Sequence, residues 1–337
     1  MSRFFASWWK VAGTLVVLAL VTAFILFRIP SDKILLLPDV AHPVAPLVHV
    51  QGAQPSKLGH VYFVDVQERR ASELEALFPW LHSHASLVPA QLLVPPGTSE
   101  AQMQKVDLRE MSISQRVAAA VALRRLGYHV VVRPNGVFVN VIDLGTNAPG
   151  KLQPADVIVA VDGSRTPTIA SLRRRLAPVH VGQVVSLRIR RGGRTLTVRV
   201  KTVADPLRPG HAIVGFEPAQ SARIKLPIHV SIDTGNIGGP SAGLAFALEV
   251  MQQLGRDVVH GHDVAATGEI ELNGSVAPIG GVEQKTYGVR AAHVKVFLVP
   301  AGTNARTARR YAGSVRIVPV TSFAQALHAL ATLPKSR

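Results

Sequence analysis

The run Gly239-Pro240-Ser241-Ala242-Gly243 sets a serine between a strand-like Ile228–Ile232 and a helix-like Leu244–Leu254. A serine at a helix N-terminus lies beside N–H groups with no intrahelical acceptor, and such donors can hold a developing oxyanion. Pro240 has no N–H, so the donors must come from its neighbours, Gly239 and Ala242 among them. The same position also suits a serine that only caps the helix. Lys285 closes the run Val276 to Lys285 at a helix start, with Val282, Val289 and Ala292 around it. A lysine with its ordinary pKa of about 10.4 is protonated at neutral pH. Apolar burial lowers that value by roughly 3 units, at a cost on the order of 4 kcal/mol. A neutral amine could then take the serine proton and return it to a leaving group. The chain has no cysteine, which excludes a thiol nucleophile, disulfides and thiolate metal sites.

Gly239-x-Ser241-x-Gly243 also matches the nucleophile elbow of α/β-hydrolases, with Asp263 and His293 as nominal partners. Two features oppose that reading. A loop separates Ile232 from the serine, and the stretch from Ser241 to Arg337 is short for the rest of such a sheet.

The blocks downstream narrow the choice. Thr267-Gly268-Glu269-Ile270 leads into a strand, Asn273-Gly274 is a hairpin turn, and Val276-Ala277-Pro278-Ile279-Gly280-Gly281-Val282-Glu283-Gln284-Lys285 follows. With the serine run, these resemble the proteolytic domain of the Lon peptidase family. The resemblance implies Ser241 as nucleophile, Lys285 as its base and Thr267 as the residue that holds the lysine. ATP-dependent members usually carry an acid directly before Gly-Pro-Ser, where this chain has Gly238. The 337 residues contain no Gly-x-x-x-x-Gly-Lys-Ser/Thr run, so no phosphate cradle is expected in them. No cofactor or metal is expected either.

Residues 133–203 read as a compact β-rich unit. Val137–Ile142 is strand-like, Ile169–Leu176 is a short helix, and Val184–Val200 is a hairpin turning at Gly192-Gly193. Gly136-Val137-Phe138-Val139, Ala148 to Leu152, and Ala155 to Gly163 resemble a PDZ domain, which binds an extended peptide beside a free sheet edge. The resemblance implies Val137–Ile142 as the binding strand, with Gly136, Val137, Phe138 and Val139 as groove residues. The net charge is +16, and this unit holds twelve Lys/Arg against Asp143, Asp156 and Asp162. The plainest reading of that charge is a solvated face.

These units need positioning. Val11–Phe27 is free of charge and is flanked by Trp8, Trp9, Lys10 and Arg28. It reads as an uncleaved signal anchor, because Arg28-Ile29-Pro30 offers no small-residue cleavage site. Arg3, Lys10 and the α-amino group slightly outweigh Arg28 and Lys33 with Asp32, which sets the N-terminus in the cytoplasm and the rest outside. Ser72 and Glu75 form a capping box for a helix through Leu81, Pro95-Pro96-Gly97 is a loop, and Ser114 is read as the N-cap of a helix ending at Gly127.

The expected fold is α+β and multidomain: cytoplasmic tip and transmembrane anchor over 1–30, a β/α region over 31–127, a PDZ-like domain over 128–205 and a Lon-type α/β domain over 206–337. This order resembles bacterial membrane-anchored PDZ–Lon peptidases. The expected activity is ATP-independent endopeptidase cleavage outside the cytoplasm, at the cell membrane. The alternative is a catalytically silent scaffold acting through its PDZ unit. Expected partners are protein or peptide substrates, the membrane through one helix, and a second copy of the chain in a homo-oligomer. Nucleic acid is not expected, since only 5% of residues are aromatic.

Overall fold

An unbroken apolar segment makes the first helix, α1 (Ser2–Arg28). Its stretch Trp8–Arg28 has a mean hydropathy of 2.3, and none of its residues is fully buried in the protein. At 1.5 Å per residue it is about 32 Å long, enough by length and composition to cross a bilayer. The computed structural model describes residues 2–55, 58–94 and 99–333, without the side chains of residues 2–7 and 209. The loop expected at Pro95-Pro96-Gly97 lies outside the described residues.

Strand β1 (Pro30–Pro38) continues from α1. The short strands β2 (His42–Pro43), β3 (Val48–Val50) and β4 (Val61–Phe63) follow. The single strand expected over Val61–Val66 divides at Val64-Asp65, because β4 and β5 (Val66–Ser72) serve different sheets. The Ser72–Glu75 capping box forms as read and opens α2 (Glu73–Leu77). The helix stops short of Leu81 because Phe78 precedes Pro79, and a 3₁₀ turn spans Pro79–Leu81. Strand β6 (Ser86–Pro89) and α3 (Ala90–Leu93) come next, and β5, β1 and β6 form an antiparallel sheet with β1 in the middle.

Helix α4 (Glu100–Arg125) corrects the reading of Ser114. Its N-cap is Ser99, in a capping box with Gln102, and Ser114 is buried in mid-helix. The polar first half, with Lys105, Asp107, Arg109 and Glu110, shows no apolar stripe from which a helix could be read.

The PDZ unit contains β7 (Val131–Ile142), β8 (Val157–Val161), β9 (Ser164–Arg165), α5 (Ile169–Leu176), β10 (Val184–Arg191) and β11 (Arg194–Lys201). The hairpin pairs Arg191 with Arg194, as its glycine turn implied. After β12 (Val203–Asp205) and β13 (Arg208–Ile213), strand β14 (Phe216–Lys225) returns to the same sheet, in the order β11-β10-β8-β7-β14. Val214 and Phe216 pack with Val137, Ile158, Leu172 and Leu187. The sheet therefore runs past the boundary expected at residue 205.

The last part contributes β15 (Val230–Ile232), α6 (Gly243–Gln253), β16 (Val264–Ala266), β17 (Glu269–Ile270), β18 (Val276–Ala277), α7 (Val282–Ala291), β19 (Val296–Pro300), α8 (Thr303–Tyr311), β20 (Arg316–Val320) and α9 (Phe323–Ala331). Its sheet has the order β2-β4-β16-β19-β20, parallel from β4 to β20. Strand β3 pairs with β15. One core joins Phe63, Val117 and Val121 to Leu244, Phe246 and Leu298. The residues before the PDZ unit thus complete the layer that carries Ser241, so the PDZ unit is inserted within it.

Candidate active site

Ser241 lies in a 3₁₀ turn, Pro240–Ala242, that feeds directly into α6. The turn is fixed from three sides. Ser114 donates from α4 to the Pro240 carbonyl (2.9 Å), Gly239 N donates to the Asp107 carbonyl (2.9 Å), and Gly268 N donates to the Ser241 carbonyl (2.7 Å). α4 approaches so closely that a Cβ on Gly238 would lie 2.6 Å from Asp107 Cβ, and one on Gly243 would lie 2.7 Å from Ser114 Oγ. A side chain at Gly238 would therefore force the turn or α4 to shift.

Lys285 sits in the first turn of α7, with Val282 and Val289 in the apolar cluster below the helix and Ala292 partly buried against it. Its side chain is 4% exposed, and Nζ lies 2.6 Å from Ser241 Oγ. Thr267, fully buried at the end of β16, donates to the Ser241 carbonyl (3.1 Å) and lies 3.4 Å from Lys285 Nζ. Burial pulls the lysine pKa down to about 8, against the opposing pull of Asp65 and Glu68.

The cleft over Ser241 encloses about 530 Å³ between the turn, Glu269, Pro278–Gly281, Leu36 of β1, Glu68 of β5 and Asp65 just before β5. Burial raises the pKa of Asp65, Glu68 and Glu269. Deeper in α4, burial first, and then Asp107, Glu269 and Glu217, push Glu110 up to about 7. Asp39, His42 and Asp65 bring one ligand atom each within 4.8 Å of one another, a spacing that suits a cation on geometry alone.

Ser241, Lys285 and Thr267, which the resemblance names together, lie within 3.4 Å of one another through their polar atoms. Gly239 does not serve as an oxyanion donor, because its N–H is engaged by Asp107. Ser241 and Ala242, in the first turn, carry the N–H groups that lack an intrahelical acceptor. The elbow partners do not assemble: Asp263 pairs with His60 at the surface, and His293 lines a different cavity, behind α7. Asp107, Asp65 and Glu68 surround the site and carry no signal in the sequence, and Ser114, read there only as a helix N-cap, joins them. They lie in α4, in the break between β4 and β5, and in β5, with no chemical motif.

The PDZ groove residues are placed differently from expectation. Val137 and Phe138 pair with β8 on one side, and β14 covers the other side of β7 from Val131 to Ile142. Gly136, Val137, Phe138 and Val139 are therefore interior to the sheet, and the strand that ends it on the β7 side is β14. Between β14 and α5 lies a cleft of about 580 Å³ lined by Val214, Gly215, Phe216, Leu172, Leu176 and Arg173. Arg191 is not free surface charge, because it forms a two-bond ion pair with the buried Asp156.

Residues 208–330 match the family model of the Lon protease (S16) C-terminal proteolytic domain, and residues 124–202 match that of the PDZ domain. Lon protease 2 of Thermus thermophilus is 42% identical over 78 residues, covering 23% of this chain and 10% of that protein. The Lon protease of Chloroflexus aggregans is 29% identical over 147 residues, covering 42% and 18% respectively. The Lon protease of Rhizobium meliloti is 33% identical over 140 residues, covering 40% and 17%. This chain thus spans less than a fifth of the length of these curated relatives. Among solved structures, the PDZ domain of an SdrC-like protein from Listeria monocytogenes is 21% identical, covering 25% of this chain and 88% of that chain, with a TM-score of 0.24.

Proposed function

We propose that this chain, which carries a Lon-type proteolytic domain and a PDZ domain, is a membrane-anchored serine endopeptidase working through Ser241 and Lys285. The observation that carries the reading is the 2.6 Å contact between Ser241 Oγ and a Lys285 amine that burial has made a weak base near neutrality. When the amine is neutral, the Ser241 hydroxyl donates to it and passes its proton as Oγ attacks the scissile carbonyl. The Ser241 and Ala242 N–H groups are the donors available to the resulting oxyanion. Lys285 then returns the proton to the leaving amine, and the acyl group stays on Oγ as an ester. Lys285 next accepts a proton from a water, the water oxygen attacks the ester, and the proton goes back to Oγ as the acid leaves. Thr267 holds the amine and the turn in one register.

No step in this sequence requires ATP. α1 holds the chain in the membrane with the remaining domains on the extracytoplasmic side, on the charge bias described above. The PDZ unit takes an extended peptide along the outer edge of β14, facing α5, where a strand can be added. A silent scaffold is the competing reading. The contact of Ser241, Lys285 and Thr267 favours the enzyme, since a binding protein has no use for a lysine buried at this energetic cost.

The deciding experiment is labelling of the protein in intact cells with a serine-directed acylating probe. A covalent adduct on Ser241, absent in Ser241→Ala and in Lys285→Ala, supports the enzyme. Equal labelling of wild type and Ser241→Ala rejects it.

A further inference from the structure

We propose that the segment Leu77-Phe78-Pro79-Trp80-Leu81 is a second membrane contact, seated in the headgroup region beside the end of α1. The inference rests on the membrane anchor proposed above. All five residues are exposed, with Trp80 at 73% and Leu81 at 52%. A run of five exposed apolar residues is unusual on a water-facing surface and marks a contact site.

Backbone bonds, not a flexible linker, tie the segment to α1. Glu73 N donates to the Ile29 carbonyl (2.9 Å), and Ser72 pairs with Pro30. α2 itself packs against α1, and residues 77–81 are its last residue and the turn that follows it. The sheet topology brings a second apolar side chain to the same end. β6 pairs with β1 at Lys33↔Pro89 and runs into α3, where Leu92 is exposed. Arg28 is exposed where α1 ends, a position from which it can meet lipid phosphates.

The segment is held rigidly. The buried Glu75 accepts from Arg69 before it and contacts His82 after it (2.6 Å), so both flanks of the turn close on one carboxylate. The Phe78 and Trp80 rings pack edge to face at 5.1 Å. A preformed indole beside a membrane helix suits the bilayer interface, where tryptophan is enriched. A bilayer is the occupant that the chain itself brings to this surface. Seating the segment would fix the sheet of β5, β1 and β6, and with it the cleft wall carrying Leu36 and Glu68, at one height above the lipid.

The test uses the full chain in phosphatidylcholine–phosphatidylglycerol vesicles. The chain has three tryptophans, so Trp8→Phe with Trp9→Phe leaves Trp80 as the sole reporter. Lipids brominated high on the acyl chain should quench Trp80 strongly, lipids brominated low on the chain should quench it less, and aqueous iodide should quench it weakly. As a second probe, Leu81→Cys gives a unique attachment point for a polarity-sensitive dye, because the chain has no cysteine. The dye should lie further to the blue in vesicles than the same dye on Leu207→Cys, an exposed position in the turn between β12 and β13 of the full chain. Vesicle flotation separates the two claims. Protein that floats while Trp80 stays open to iodide and unquenched by either lipid overturns the contact and leaves the anchor standing. Protein that does not float overturns the anchor, and the contact with it.

Discussion

The hydroxyl of Ser114 donates to the carbonyl of Pro240 at 2.9 Å, across 126 residues of sequence that include the whole PDZ unit. It ties the middle of α4 to the residue before Ser241. Replacing Ser114 with Ala leaves that carbonyl without its partner and loosens the turn. A stability loss of about 1 kcal/mol is expected in urea unfolding. The acylation rate should fall roughly tenfold, equivalent to about 1.4 kcal/mol, with little change in KM. A stability loss with an unchanged acylation rate would make Ser114 a packing residue only.

Ser241→Ala and Lys285→Ala should each abolish peptide cleavage and leave circular dichroism unchanged. Lys285→Arg should also be inactive, because guanidinium keeps its proton near neutrality and cannot act as a base. Turnover by purified Ser241→Ala would end the proposed mechanism.

Activity should rise with pH along a limb near 8, where Lys285 loses its proton. Asp65 favours the protonated amine, so Asp65→Asn should move the limb to lower pH, as read from single-turnover acylation rates. Stability should follow the same group with a definite sign. The folded pKa lies below the unfolded value of about 10.4, so the unfolded state binds more protons between the two values and stability increases with pH from about 8 upward. Below that window the buried amine costs roughly 3 kcal/mol. Lys285→Met should therefore stabilise the protein at pH 6, by up to about 3 kcal/mol in urea unfolding. A variant no more stable than wild type at pH 6 would indicate a solvated amine.

Gly238 abuts α4, and a Cβ there would meet Asp107 at 2.6 Å. Gly238→Asp should push the turn away from α4 and bring a second carboxylate to Asp107, whose pKa burial already raises. A loss of cleavage by roughly a hundredfold is expected, equivalent to about 2.7 kcal/mol of misplacement. Full activity in this variant would show that the turn has slack not apparent in its packing.

If the outer edge of β14 receives peptides, a free C-terminal carboxylate or an acidic side chain should help through Arg173, the arginine of the α5 triplet that lines this cleft. Binding of carboxylate-ended and amidated peptides to the full chain, by anisotropy, checks this. Arg173→Glu should weaken carboxylate-ended peptides several-fold, and added salt should do the same. Equal binding of both peptides, indifferent to salt and to Arg173→Glu, would assign the charge to solubility.

Short-range chemistry was legible in the sequence. The Gly-Pro-Ser turn before an apolar run, the lysine at a helix start among valines, the Gly192-Gly193 hairpin and the apolar span of α1 each depend on neighbours a few residues away. What depends on distant partners was not legible. α4 begins at Glu100 because tertiary packing on α6 stabilises a helix whose first half has no apolar stripe. Strand β7 is long and apolar, but only the return of β14 from residues 216–225 decided that it is interior to the sheet, which moved the free edge to β14. Burial of Lys285 is not legible in its own helix, since an amine's pKa follows from the whole shell that excludes water, and here that shell includes the distant Asp65, Glu68 and Thr267. The sequence determined which groups could react; the tertiary structure decided their distances, because strands and helices far apart in the chain meet only when the core brings them together.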